Sequence, residues 1–379
     1  MTSKTSPHNG IPQLSAQIAP LLLVCALVFA LPLILNNDFL LNKIARYLVL
    51  GILTVSLALS WGYGGILNLG QAMSFGIGSY AMAMALKLKT IPVHTGSGGL
   101  PDFMVWNNVA QLPWFWMPFK SLGFALVAGV LAPALVAAAL GWFVFRSRVT
   151  GVYVSIITLA TMVVLNLVII DQQSYTGGFN GITDLAQLEL FGVAFDAYGR
   201  ATYYLVAGCV MLSLLVAFAF THTKAGLVVQ AIRDHESRVR YFGYDVAAYQ
   251  IFVFALSAAI AGLAGMLYTI VMEFASPTFL GVQISLSVVV WCAVGGRQSL
   301  VGAFLGAVLV AGMQGALSES AAFLETWTLV MGALFVLVVL FLPKGLAGLA
   351  QGVWRAIAQR RQATQEVAGT VGQTREGSA

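Results

Sequence analysis

The chain has 379 residues, 59% of them hydrophobic and only 9% charged, whereas a soluble domain carries roughly 25% charged residues. So few charges exclude a soluble fold of this length. Continuous rather than alternating apolar runs exclude a barrel, which leaves helices whose backbone groups pair within each span.

A polar stretch opens the chain and reads as a cytoplasmic tail over 1–18. The apolar run from Pro20 to Leu35 carries no small-residue cleavage signature. It reads as a retained first span rather than a signal peptide. About ten spans are predicted, at roughly 19–36, 44–61, 63–86, 120–145, 149–170, 201–220, 249–271, 279–295, 298–317 and 326–342, within a membrane domain over 19–345. With a cytoplasmic N-terminus, 13 of the 19 Lys and Arg fall on the cytoplasmic side, among them Arg146, Arg148, Arg233, Arg297 and Lys344, and six fall outside. This bias accounts for the formal charge of +5 better than a nucleic-acid partner does. The predicted fold is therefore an all-α integral membrane protein of about ten transmembrane helices with both termini cytoplasmic. The tail over 346–379 is basic and polar, helical at first and then disordered.

Three hydrophilic segments interrupt the spans. The first is an outer loop over about 87–119, whose Trp114 and Trp116 suit the headgroup level. The second is an acidic outer loop over about 171–199 that contains Thr176-Gly177-Gly178-Phe179-Asn180-Gly181. The third is the highly charged cytoplasmic segment over about 221–248. Cys25, Cys209 and Cys292 lie inside apolar runs with no ligand or disulfide spacing. They read as small apolar helix residues.

Small residues recur every four positions at Gly70, Ser74 and Gly78, at Ala258-Gly262 and Ala261-Gly265, and at Gly302-Gly306. That spacing lets helix backbones approach closely in lipid. Four glycines in the stretch 62–70 weaken a helix by up to about 1 kcal/mol each. A broken or re-entrant segment is expected there, tolerated only where protein buries it or it lines a cavity. Asn68 and Gln71 share a face if the region is helical. With Ser74 they are candidate solute-path residues, although hydrogen bonding to a neighbouring helix is the favoured reading of their amides.

No Asp, Glu, Lys or Arg is placed in the middle of a predicted span, where proton-coupled carriers and voltage sensors keep one. The chain carries no GxxxxGK[ST] loop, HExxH, GxSxG or CxxC cluster. It is therefore read as neither an intramembrane enzyme nor a source of nucleotide hydrolysis. Residues 223–243 read as a short amphipathic helix with an apolar stripe of Leu227, Val228, Ala231, His235, Val239 and Phe242. Acid-before-base pairs are expected at Asp234–Arg238 and Glu236–Arg240, with Gly243 as the stop. Such a helix either lies on the headgroups or docks in the groove of a soluble partner.

The run Ala231-Ile232-Arg233-Asp234-His235-Glu236, then Gly243 and Ala258-Ala259-Ile260-Ala261-Gly262-Leu263-Ala264-Gly265, resembles the coupling loop and following span of branched-chain amino acid-type ABC permeases. Gly64–Gln71, Thr176–Gly181, Gly295-Gly296-Arg297 and Pro343-Lys344-Gly345-Leu346 agree, so the resemblance covers about 45–347. The outer loop with Leu100-Pro101-Asp102-Phe103-Met104-Val105 and Leu112–Trp116 resembles an insertion of the urea-type branch.

The resemblance implies an ABC importer permease subunit of the bacterial inner membrane. It implies a sister permease, two ATPase subunits that bind ATP and Mg, and an extracytoplasmic binding protein. Arg233, Asp234, His235, Glu236 and Gly243 would then form the ATPase-coupling segment. Urea or a short amide is the first expectation for the solute. A branched-chain amino acid is the alternative within the family, and a stand-alone channel or secondary carrier is the alternative from another class.

Overall fold

A computed structural model describes residues 11–90, 99–190, 192–319, 329, 332, 333, 336 and 345–348. The helices are α1 (Ile11–Ile34), α2 (Asp38–Leu57), α3 (Gln71–Thr90), α4 (Asp102–Trp106), α5 (Leu122–Arg146) and α6 (Val152–Asp171). They continue with α7 (Gln173–Thr176), α8 (Arg200–His222), α9 (Lys224–Tyr241), α10 (Val246–Met272), α11 (Val282–Gly295) and α12 (Leu300–Glu319). The first nine predicted spans each find a helix. The tenth, 326–342, lies largely outside the described residues, as do most of both tails.

The count of about ten narrows on inspection. Six helices are long and apolar enough to cross a membrane: α2 with its terminal turn, α5, α6, α8, α10 and α12. The stretch Ile18–Ile34 of α1 and α11 are shorter apolar helices. Six to eight apolar spans are thus present among the described residues. α3 is set apart by its small and polar residues, yet it is buried along most of its length.

Burial ranks the helices. The apolar window of α2 is 72% buried and that of α10 is 61%, against 22% for α5 and α6. α10 packs on α5, α3 and α2, while α2 packs on α8 and α12. Small residues make these contacts. A Cβ on Gly78 of α3 would collide with the Gly262 carbonyl of α10, and one on Gly262 would collide with the Gly129 carbonyl of α5. Three backbones therefore meet with no side chain between them, a mode of association that suits lipid, where burying apolar surface supplies no driving force.

The outer loop over 171–199 is less irregular than an all-α reading allows. Leu188–Leu190 and Val193–Phe195 form a two-stranded antiparallel hairpin, with Leu188 opposite Phe195. The Thr176–Gly181 motif turns through Gly177, Gly178 and Gly181, all at positive φ. Its end pairs Ile182 with Ala275 beyond α10. Positive φ and the nearby Ala275 carbonyl together admit only glycine at 181. The loop over 99–121 lies on the C-terminal end of α3, burying Leu100, Phe103 and Met104 against Tyr80, Ala83 and Met84. Lys87, itself buried, clamps it through Asp102 at 2.9 Å.

Candidate functional site: a broken helix, a buried polar node and a surface helix

The predicted span 63–86 is broken. α2 runs into a π-helical turn, Ala58–Tyr63, and residues 64–70 are not helical until α3 begins at Gln71. Gly65, at φ +71°, makes the exit. Backbone freed at membrane depth has to find partners within the protein, and it does. Ile66 N–H donates to Ser60 O at 2.9 Å. Ser155 Oγ of α6 donates to Leu67 O at 2.8 Å. Leu69 N–H donates to Thr158 Oγ1 at 3.2 Å, and Ser285 Oγ of α11 donates to Leu69 O. Asn68 Oδ1 accepts from Gly70 N–H at 2.9 Å.

Asn68, Gln71 and Ser74 are all buried. Asn68 Nδ2 donates to Gln71 Oε1 at 2.6 Å. Gln71 Nε2 donates to Ser56 Oγ at 2.6 Å and Ser257 Oγ at 3.1 Å. Ser257 Oγ in turn donates to Ser56 O at 2.6 Å. The two amides thus tie α2, the broken segment, α3 and α10 into one node. They meet through the Asx-type turn at Asn68 rather than by sharing a helix face. The sequence reading passed over Ser56 and Ser257, and also Ser155, Thr158 and Ser285. Hydroxyls inside apolar spans, flanking a glycine-rich break, were the available signal.

The surface helix forms much as expected. Thr223 Oγ1 caps α9 by accepting from Gly226 N–H at 3.1 Å. Gly243, at φ +84°, follows its end. Its phase differs from the expectation. The buried residues are Gly226, Val229, Ile232 and Val239, and Ile232, Val239 and Val246 form a small core with Val228 and Tyr249. The predicted stripe mostly faces out, with Leu227 59% exposed and Phe242 82% exposed, and Tyr241 beside it 91% exposed.

The helix is kinked at His235, whose φ of −152° and ψ of 79° leave the helical region. The kink shifts the register between the two halves. It also explains why one of the two expected ion pairs is absent. Glu236 and Arg240, both beyond it, pair at 2.6 Å. Asp234 and Arg238 straddle it, and Asp234 turns instead to Arg233 Nε at 2.8 Å. That hydrogen bond holds the Asp234 carboxyl below its ordinary value.

Arg233 also points inward. Its Nη1 donates to Gly62 O at 2.6 Å, and its stem lies against Gly65. Gly62 packs equally tightly on the other side, since a Cβ there would overlap the Arg297 carbonyl. The Arg297 guanidinium stacks on Trp61 at 5.4 Å, and Tyr63 Oη donates to Gln298 O at 3.1 Å. Gly345 seats on Gly296 N, so the motifs around Gly62, Gly296 and Gly345 converge on one junction under α9.

One basic residue of α2 stands apart. α2 begins at Asp38 rather than 44, so Lys43 joins Arg46 within the helix, both toward its N-terminal end.

A surface helix bound to a broken, polar-lined helix inside a multi-pass bundle defines a transport subunit. The family described as branched-chain amino acid transport system, permease component, matches residues 39–339, and the chain belongs to it. It is 28% identical over 322 residues to the high-affinity branched-chain amino acid transport system permease protein LivM of Escherichia coli K12, covering 79% of this chain and 67% of that protein. It is 27% identical to the probable LivM of Methanocaldococcus jannaschii, covering 58% of this chain and 64% of that one. The E. coli K12 LivH permease is 23% identical, with 78% and 90% covered. No solved structure matches. The chain is thus an ABC permease subunit, a multi-pass membrane protein and not an enzyme, with ATP bound by partner subunits.

Proposed function

We propose that this chain translocates branched-chain amino acids across the cell inner membrane. It would work with a sister permease, two ATPase subunits and an extracytoplasmic binding protein that delivers the solute. The observation that carries the mechanism is the Arg233–Gly62 hydrogen bond at 2.6 Å. It joins a helix with an exposed apolar stripe to the break that leads into the Asn68–Gln71–Ser56–Ser257 node. ATPase closure on α9 would be passed through Arg233 to the π-helical turn, and from there to the node that holds α2, α3 and α10 together. α9 then lies on the cytoplasmic side, which the distribution of basic residues favours.

Similarity to both LivM and LivH permeases supports pairing with a related second chain. The relatives carry branched-chain amino acids in their names, which moves the first expectation from urea to that class. The loop that suggested urea packs as a cap on the outer end of α3. It is a weak basis for solute choice.

The test is uptake of labelled leucine and labelled urea in cells with and without this chain. Leucine uptake should fall and urea uptake should not. The reverse pattern overturns the assignment. Leucine flux through this chain alone in liposomes, without ATPases, makes it a stand-alone carrier instead.

A further inference from the structure

We propose that Arg46 is the carboxylate-binding residue at the outer entrance of the translocation path, an inference that rests on the amino-acid reading above. Arg46 lies eight residues into α2 from Asp38, about 12 Å along the axis at 1.5 Å per residue. A charged side chain within a membrane-spanning helix is costly unless it is paired or serves transport.

The neighbouring cations of the outer half are paired. Lys43 meets Glu319 at 2.6 Å, and Lys87 meets Asp102 at 2.9 Å. Arg46 differs. Its Nε is buried with no hydrogen-bond partner. Its Nη1 reaches only the Met272 sulfur, at 3.7 Å, and a thioether is a weak acceptor. Among the described residues the guanidinium has no ion-pair partner. Arg46 as a whole is half-buried, so Nε is enclosed while the Nη end stays open to an approaching anion.

The open Nη end calls for an anion, and a carboxylate can meet two of its N–H groups at once. The surroundings suit the rest of a hydrophobic amino acid. Tyr268, one helical turn before Met272, packs its ring on Phe75 and Phe279 at 5.3 and 5.0 Å between centroids. Urea has no carboxylate, so this site separates the two solute classes that the outer loop left open.

The test uses the full permease–ATPase complex in nanodiscs without binding protein, so that affinity reports the permease. Labelled leucine should bind weakly and be displaced by unlabelled leucine but not by leucinamide. R46Q should weaken binding at least about tenfold, the loss of a charged hydrogen-bonded contact. R46K should fall between, since it keeps the charge without the fork. Subunit content and ATPase rate of each variant guard against misfolding.

Wild-type complex that binds no leucine, or R46Q that binds as wild type does, overturns the proposal. A difference between wild type and R46Q confined to phosphatidylglycerol nanodiscs assigns the guanidinium to a lipid phosphate and overturns it equally. Failure of the amino-acid reading shows separately, as absence of leucine uptake by the complete importer.

Discussion

Gly62 and Gln71 show how little freedom single residues have around the break. Gly62 faces the Arg297 carbonyl, a backbone atom that cannot swing aside. Gly62→Ala should therefore cost about 1–3 kcal/mol, as overpacking does, and lower the melting temperature of the purified complex by several degrees. Normal melting and normal uptake in that variant contradict the close contact. Gln71→Leu removes the group that links Asn68, Ser56 and Ser257. Each buried polar group left without a partner costs about 1–3 kcal/mol, so thermal stability should drop sharply. An unchanged melting curve with altered solute selectivity would instead put the amide on the solute path.

At the scale of elements, α9 has two faces with separate duties. Val229, Ile232 and Val239 hold it to the bundle, while Leu227, Tyr241 and Phe242 are left in the open. An exposed apolar stripe of this kind fits a partner's groove. Tyr241→Ser with Phe242→Ser should leave insertion intact and stop the ATPase subunits from co-purifying. Retained co-purification removes these residues from the interface.

Arg233 works on the inner face. Arg233→Ala combined with Glu236→Ala should preserve insertion and lower ATP-dependent uptake, measured with verified subunit levels. Unchanged uptake sinks the coupling role. The Asp234 carboxyl, held low by Arg233, stays ionised at neutral pH. Whatever its contact with Arg233 contributes is present above the ordinary aspartate value of about 3.9 and is lost only as pH falls through the lower folded value. Coupled uptake should therefore show no titration from this pair between about pH 5 and 8, and an inflection there that disappears in Asp234→Asn contradicts the assignment.

For the whole molecule, orientation is the claim with the widest reach. Ser237 lies on the exposed side of α9 and Gln111 on the loop at the other end. With the proposed topology, an impermeant thiol reagent labels Ser237→Cys in inverted vesicles only and Gln111→Cys in intact cells only. The opposite labelling reverses the topology and moves Arg46 to the inner side. The outward faces of α5 and α6 carry exposed Leu131, Leu135, Phe143, Val164 and Leu167, which suit lipid or the sister permease.

The sequence by itself determined what depends on composition and local chemistry. Apolar runs placed nine helices, because a helix is the only open way to pair a backbone in lipid. Clustered glycines marked the break, because glycine alone tolerates its dihedrals and its crowding. Charged residues between spans marked α9. The tertiary structure decided what depends on distant partners. Ser56 and Ser257 are ordinary span residues until the fold sets them against Gln71. The buried face of α9 was set by what it meets, Val246 and Tyr249 of α10, which no period along α9 alone reveals. Arg46 gained meaning only once the packing of α2 on α10 left its Nε buried without an acceptor. A periodicity can say which way a side chain points along its own helix. What waits at the other end is set by packing between segments more than 200 residues apart, such as Asn42 and Val271, and no local pattern encodes that.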